Sequence, residues 1–410
     1  MYTKQEVLSM SEIKKQKHLK VKGTIFLIAF MNMVVPLSLD MYLPAVPQMA
    51  RIFDTNEAIV NFTLVGFFFF MAVGTLIFGP LSDKYGRKPL LIWGTLIYCV
   101  FSAVCAMAPG IYILIGARII QAVGAGCMVA VSTALIKDCF EAAKRSAILA
   151  VVQAMSVIAP MVAPVLGAWV VTLSGWRMTF WILAVLGLLC LGAVMLLEET
   201  VDDENRYKGK LAGSIGRLVV VGRNGGFTAF LLSAAMLAAP YMAYVAVCSY
   251  IYIDFFSLSE TTYSYFFAVN SAAAILGPVF YLRVMKRIKA NTMMTGCIII
   301  SVVCGVLMLT AGWTGPLVFL ICFLPFTVVE SAVRPFSTAI LLNQQEGDTG
   351  SASSLINFTH TVLGSIGMIL GTLNWGSYIR GLGIILVGSS IISLFIWIII
   401  RKRNMEIKWK

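Results

Sequence analysis

The stretch "GFFFFMAVGTLIFG" (66–79) contains no charge and no alternation of polar with apolar residues. A membrane-barrel strand would alternate over about 10 residues, and the surface helix of a soluble domain would show a polar face. A run that is apolar all round belongs to a helix surrounded by lipid or by other helices. Read outward from it, the chain repeats the pattern. Runs between charged or turn-rich clusters fall at 23–46, 58–81, 89–108, 110–136, 147–173, 177–197, 226–253, 262–282, 291–312, 315–342, 350–374 and 381–400. Each is close to the roughly 20 residues that cross a bilayer as a helix. The last, with "SSIISLFIWIII" (389–400), again does not alternate. The expected fold is an all-α membrane protein with twelve transmembrane helices in two pseudo-symmetric six-helix bundles.

Composition agrees. Hydrophobic residues make up 59% of the 410 and charged residues 12%, against roughly 25% charged in soluble domains. The net charge of +12 would suit a nucleic-acid binder if it were gathered on one soluble face, and it is not. Lys and Arg cluster in the N-terminal arm, from Lys4 to Lys22, and in alternate loops: Lys84, Arg87 and Lys88; Lys137, Lys144 and Arg145; Arg206, Lys208, Lys210, Arg217 and Arg223; Arg283, Lys286, Arg287 and Lys289. They return in the tail, from Arg401 to Lys410. The opposite loops hold only Arg51, Arg177 and Arg380. The positive-inside rule then expects both termini in the cytoplasm of a multi-pass protein of a bacterial inner membrane. The polar, basic first 22 residues and the length of the next apolar run do not read as a cleavable signal.

The longest polar interruption, "EETVDDENRYKGKLAGSIGRLVVVGRN" (198–224), divides the spans six and six. The expected units are an arm (1–22), an N-terminal bundle (23–197), a cytoplasmic linker (198–225), a C-terminal bundle (226–400) and a tail (401–410). Two six-helix halves with a site between them are a general transporter plan; a receptor with a long loop is the alternative. Short loops leave no room for a soluble catalytic domain, so no enzyme is expected. No GxxxxGK[ST] loop occurs, which leaves an ion or solute gradient as the energy source. Cys99, Cys105, Cys127, Cys190, Cys248, Cys297, Cys304 and Cys322 lie in apolar spans without CxxC spacing, and only His18 and His360 could join them. No metal and no cofactor is expected, and the chain is read as a monomer in the bilayer.

The sequence "GPLSDKYGRKPLL" (79–91) resembles the loop 2–3 motif of the major facilitator superfamily, with Gly79, Leu81, Asp83, Gly86, Arg87, Lys88 and Pro89 on its positions. The two glycines would allow close packing and a tight turn, and Asp83 and Arg87 could bridge to neighbouring helix ends. The resemblance implies a cytoplasmic latch for one state of alternating access. "LSLDMYLPAVPQMA" (37–50), "LIGARIIQAVGAG" (114–126), "FFSLSETTYSYFFAVNSAAAILG" (255–277) and "GSASSLINF" (350–358) resemble the Bcr/CflA-type drug-resistance branch. That resemblance implies proton-driven export of small, neutral or lipophilic antibiotics of the bicyclomycin or amphenicol kind. "AMSVIAPMVAPVLGAW" (154–169) resembles an antiporter signature at Pro164 and Gly167, but Ala159, Ala163 and Ala168 replace its glycines. Small residues at 159, 163 and 167 still form a face for close helix contact, and Pro160 and Pro164 invite a bend. Packing without a coupling role is the alternative there.

Ionisable groups inside a bilayer cost several kcal/mol unless paired or wet, so each is a functional candidate. Asp40 is the expected proton carrier and Arg118 its counter-charge, although direct pairing would need helix tilt or a water; a purely structural ion pair is the alternative. Glu330 and Arg334, at i and i+4, are expected to neutralise each other as an inner pair or gate rather than as a second proton site. His360 is expected to be a neutral, hydrogen-bonded histidine, with titration as the alternative. Substrate contacts are expected from Asn32, Met128, Tyr241, Tyr244 and Asn270, with His360 beside them, because pockets for varied lipophilic ligands favour aromatic and Met side chains. A transporter of a defined metabolite, such as a sugar, siderophore or organic acid, is the rival reading.

Overall fold

The computed structural model describes residues 16–140, 142–201, 220–284, 288–344 and 349–403. Most of the arm, of the linker and of the tail lies outside these residues, as do Lys286 and Arg287. The first half comprises α1 (Lys20–Asp40), the short α2 (Val46–Ile52), α3 (Glu57–Tyr85), α4 (Arg87–Met107), α5 (Ile111–Cys139), α6 (Ala142–Ser174) and α7 (Trp176–Met195). The second comprises α8 (Gly225–Ala235), α9 (Ala238–Ser249), α10 (Glu260–Val284), α11 (Ala290–Ala311), α12 (Pro316–Asn343), α13 (Thr349–Gly371) and α14 (Tyr378–Lys402). With α1–α2 and α8–α9 each taken as one crossing, these are twelve spans. Eleven meet length and hydropathy criteria for crossing a membrane; α6, 33 residues long, is the twelfth.

Two crossings differ from the uninterrupted runs read in the sequence, and proline explains both. A proline has no N–H to give the carbonyl four residues back, and its ring crowds that carbonyl. Pro44 therefore ends α1 at Asp40, and the chain continues through a 3-10 turn, Leu43–Ala45, into α2. Pro240 acts likewise on Met236, separating α8 from α9. Past α9 the helix widens into a π-helical turn, Tyr250–Phe255. Two helix starts are capped by side chains: Asn56 Oδ1 accepts from Ile59 N–H at 2.9 Å, and Asn224 Oδ1 from Phe227 N–H at 3.1 Å.

Within the first half α5 packs on α3 and α4, α4 on α7, and α1 on α6. The second half repeats the plan, with α9 on α13, α10 on α12 and α11 on α14. The halves meet along α6–α10 and α3–α13, and again where α2 touches the π-helical turn. Large apolar side chains cover the outside, as at Leu173 (83% exposed) and Trp93 (64% exposed). Apolar patches of that extent are not tolerated on a soluble monomer and fit a surface solvated by lipid. Polar side chains are instead drawn inward, where helix–helix hydrogen bonds satisfy them.

Candidate functional site

At the end that carries the chain termini, α3 passes into α4 through the single residue Gly86. Its φ of 96° with ψ of 157° is a conformation reserved almost entirely for glycine. The reversal exposes the first N–H groups of α4, and the Glu199 carboxylate accepts from two of them: Arg87 N–H at 2.9 Å and Lys88 N–H at 3.1 Å. An acid at that place also suits the helix dipole. Arg87, itself buried, donates Nε–H to Asp138 on α5 at 2.9 Å and Nη1–H to Ser82 at 2.5 Å, and pairs with Asp83 at 2.6 Å. Asp138 also accepts from the Thr200 hydroxyl at 3.0 Å, and Lys88 Nζ donates to the Met195 carbonyl at 3.0 Å. The expected bridging of helix ends thus falls to Glu199 and Asp138, while Asp83 stays with Arg87 one turn away. Gly79 differs from expectation too: a Cβ there would meet nothing, so no close packing depends on it here.

Gly86→Ala is expected to destabilise the protein. The backbone cost is about 1–3 kcal/mol, and the new Cβ would crowd the Glu199 carboxylate. Thermal unfolding of the purified protein should show a lowered midpoint, of which a Glu199→Ala background recovers only the steric part. An unchanged midpoint would mean that the turn relaxes without cost.

Arg118, on α5, is fully buried and meets no carboxylate. Its guanidinium lies 4.1 Å from the Phe67 ring centroid, 5.5 Å from that of Phe180 and 5.7 Å from that of Tyr42. Nη1–H donates to Gln121 Oε1 at 2.8 Å, and Nε–H reaches the Thr63 carbonyl at 3.4 Å. Gln121 Nε2 in turn donates to Ser102 Oγ at 2.6 Å, and Ser102 to the Tyr98 carbonyl at 2.6 Å. The Tyr98 hydroxyl meets Ser38 Oγ at 2.5 Å, bringing this polar chain back to α1 two residues before Asp40. The expected Asp40–Arg118 pair is therefore absent among the described residues. The arginine is held by an aromatic cage and a hydrogen-bonded relay inside the first half. Gln121, Ser102 and Tyr98 escaped the sequence reading, although Gln121 stands one turn after Arg118 in the same quoted stretch.

Asp40 is buried, at the helix end made by Pro44, and its side chain has no hydrogen bond or ion pair among the described residues. Tyr241 and Cys248 on α9 and Tyr263 on α10 lie within electrostatic reach of its carboxylate. Tyr241 is also within reach of Glu330 and Arg334 on α12, and Arg334 within reach of His360 on α13. No hydrogen bond or ion pair among the described residues joins Asp40, Tyr241, Glu330, Arg334 and His360 to one another. Glu330 is half-buried and Arg334 exposed, and the two make no ion pair among the described residues. Neither ring nitrogen of buried His360 has a hydrogen-bond partner, unlike the bonded histidine expected.

The expected substrate contacts separate into two sets. Met128, Tyr244 and Asn270 are buried to 1% exposure or less. Met128 belongs to the buried apolar core. Tyr244 stacks on Phe323 at 4.3 Å between centroids, and Asn270 Oδ1 accepts from Thr327 at 2.8 Å, tying α10 to α12. Asn32 and Tyr241 remain half-buried; Asn32 Nδ2 donates to Ser132 on α5 at 2.9 Å. On α6, Pro160 and Pro164 stand inside a continuous helix, with Ala159 and Ala163 buried beside them. Gly167 sits against the Met41 backbone, where any Cβ would collide.

Two six-helix halves joined along a seam that holds membrane-buried ionisable groups define the class of secondary transporters. The profile of the Major Facilitator Superfamily matches residues 28–368, and the chain belongs to that superfamily. It is a multi-pass membrane transporter and not an enzyme. It is 28% identical to the uncharacterized MFS-type transporter YdgK of Bacillus subtilis, over 83% of this chain and 86% of that one. It is 26% identical to the bicyclomycin resistance protein homolog of Haemophilus influenzae, over 85% of this chain and 88% of that one. Its fold matches the crystal structure of the peptide transporter POT in complex with sulfate, with a TM-score of 0.75, 14% identity and 99% of each chain covered.

Proposed function

We propose that the protein is a proton-driven exporter of small, lipophilic, drug-like molecules, working in a bacterial cytoplasmic membrane with both termini inside. The observation that carries the reading is Asp40: a carboxyl buried at a helix break, with no hydrogen bond or ion pair among the described residues. A carboxyl so placed exchanges its proton when the halves part on one side or the other. Resistance proteins among its relatives support drug-like cargo, as does the aromatic character of α9 and α10. Arg118, caged among rings of the first half, does not neutralise Asp40. The Gly86–Arg87–Glu199 cluster acts as a latch at the cytoplasmic end. Transport needs no cofactor beyond the proton gradient.

Glu330, Arg334 and His360, which offer polar groups to the seam, favour a second reading, transport of a defined polar metabolite. One experiment separates the two. The protein is expressed in an efflux-deficient bacterial host and challenged with amphenicols, bicyclomycin, fluoroquinolones and lipophilic cations, with and without a protonophore. Raised resistance to some compounds, lost with the proton gradient, is expected. No resistance despite confirmed membrane expression would overturn the drug reading in favour of the metabolite one.

A further inference from the structure

At the end that carries the termini, the chain turns sharply before its first span. Lys20 opens α1 with a φ of 52°, in the left-handed region that lysine seldom enters and that persists only where neighbouring contacts hold it. Its N–H donates to the Gln16 carbonyl at 3.1 Å, closing the turn. Gln16 itself is 7% exposed. Its Nε2–H donates to the Glu198 carbonyl at 3.2 Å, and its Oε1 accepts from the Glu198 N–H at 2.7 Å. Glu198 lies beyond the end of α7, where no helix ladder serves its backbone, and one side-chain amide supplies both bonds. The next two residues are held as well. The Glu199 carboxylate accepts from the N–H groups of Thr200 at 2.9 Å and Val201 at 3.1 Å, besides those of Arg87 and Lys88. Thr200 donates its hydroxyl to Asp138 on α5. Three successive residues at the start of the linker are thus tied to the arm, to the start of α4 and to α5.

We infer that Gln16 straps the start of the linker to the first half and so positions Glu199 on α4. The first N–H groups of a helix have no partner within it. In α4, Gly86 donates to the Ser82 carbonyl at 3.1 Å, Pro89 has no N–H, and Arg87 and Lys88 are left to the Glu199 carboxylate. Glu199 stands in a segment without regular structure, so its carboxylate is aimed only while the backbone on both sides is fixed. Thr200 fixes one side through Asp138, and Gln16 fixes the other. The strap therefore joins the beginning and the end of the first six-helix half. Its consequence reaches the second half, because the linker is the covalent connection between them. While the strap holds, the slack of the linker begins after Val201. Release of Glu198–Val201 frees about 13 Å of extended chain, at about 3.3 Å per residue. The strap thus limits how far the halves part at this end before Glu199 leaves α4, whichever cargo crosses the seam and whatever drives it.

The test is amide hydrogen exchange, resolved to single residues, on the full chain purified in detergent. Exchange at Arg87 and Lys88 reports the Glu199 cap directly, because no helical bond protects these two amides. Gln16→Ala should speed exchange about tenfold at Glu198, and about three- to fivefold at Arg87 and Lys88, as expected for the loss of neutral hydrogen bonds. Glu199→Gln should speed exchange at Arg87 and Lys88 about tenfold or more while leaving Glu198 protected. In the double variant, Gln16→Ala should add nothing at Arg87 and Lys88, since it acts on them through Glu199; generally loosened packing would add there too. Amides in the middle of α11, in the other half, should exchange as in the wild type, which separates release of the strap from loss of the fold. Unchanged exchange at Arg87 and Lys88 in Gln16→Ala would overturn the inference and reduce the contact to a local tie. A further increase at those amides in the double variant would overturn it as well.

Discussion

Asp40→Asn is expected to abolish uphill export while leaving a folded protein that still equilibrates its cargo. Asparagine keeps the size of the side chain and the hydrogen-bonding capacity of a protonated carboxyl, and it cannot titrate. Because Asp40 has no partner among the described residues, no cation is stranded by the change. One proton returning through about 100 mV of proton-motive force supplies about 2.3 kcal/mol. At about 1.4 kcal/mol per tenfold, that sustains a concentration gradient of about fiftyfold. Reconstituted vesicles carrying wild-type protein should approach that gradient on energisation. Vesicles carrying Asp40→Asn should reach none, while exchanging labelled for unlabelled cargo at a measurable rate. A gradient built by the variant would remove Asp40 from the coupling step.

Arg118→Leu should also eliminate coupled transport, yet cost less stability than the loss of one partner of a buried ion pair, and that contrast tests what the arginine is for. Had Arg118 been paired with Asp40, its loss would strand a buried carboxylate, at about 3–5 kcal/mol. It instead sits among Phe67, Phe180 and Tyr42, where each ring contact contributes about 0.5–2 kcal/mol and offsets the desolvation of the guanidinium. Leucine removes both the cost and its compensation. What remains is the Gln121 oxygen left without its donor, about 1–3 kcal/mol. Arg118→Lys is expected to be worse for stability, because an ammonium is more strongly hydrated and cannot lie flat against a ring. A double-mutant cycle of Asp40→Asn with Arg118→Leu, read by thermal melting, should give additive effects within about 0.5 kcal/mol. Strong coupling would show that the two groups meet in another state of the cycle.

The expected loss of transport in both variants rests on features with different origins. The ionisable residues could be picked out from sequence because the bilayer makes each of them conspicuous: Asp40, Arg118, Glu330 and Arg334 interrupt otherwise apolar runs. Their partners were not legible, since a charge buried in a helix bundle is satisfied by whichever neighbour the packing supplies. Arg118 took three rings and a glutamine instead of Asp40. Glu330 and Arg334, correctly placed for an i, i+4 pair, leave that pair unmade. Glu199, in a linker read only as a boundary, caps α4 because the reversal at Gly86 brings the start of that helix to it. Asp138 reaches Arg87 because α5 packs on α3 and α4.

The number of spans, the helical class and the division into two halves followed from sequence alone, because a bilayer demands long apolar runs whose backbone groups bond within the helix. The breaks at Asp40 and Met236 were not read from the sequence: Pro44 and Pro240 end helices, while Pro80, Pro160, Pro164 and Pro278 stand inside them. Tertiary structure alone decided which polar side chains face the seam and which are consumed in packing. Met128, Tyr244 and Asn270 carry the residue types of a binding pocket, yet are buried, Tyr244 against Phe323 and Asn270 against Thr327. Tyr250, from an unremarked stretch, is buried with no hydrogen-bond partner for its hydroxyl among the described residues. An all-apolar helix has no polar stripe to fix its rotation, so its facing is set by close contacts such as Gly167 on Met41, and these exist only when both helices are in place.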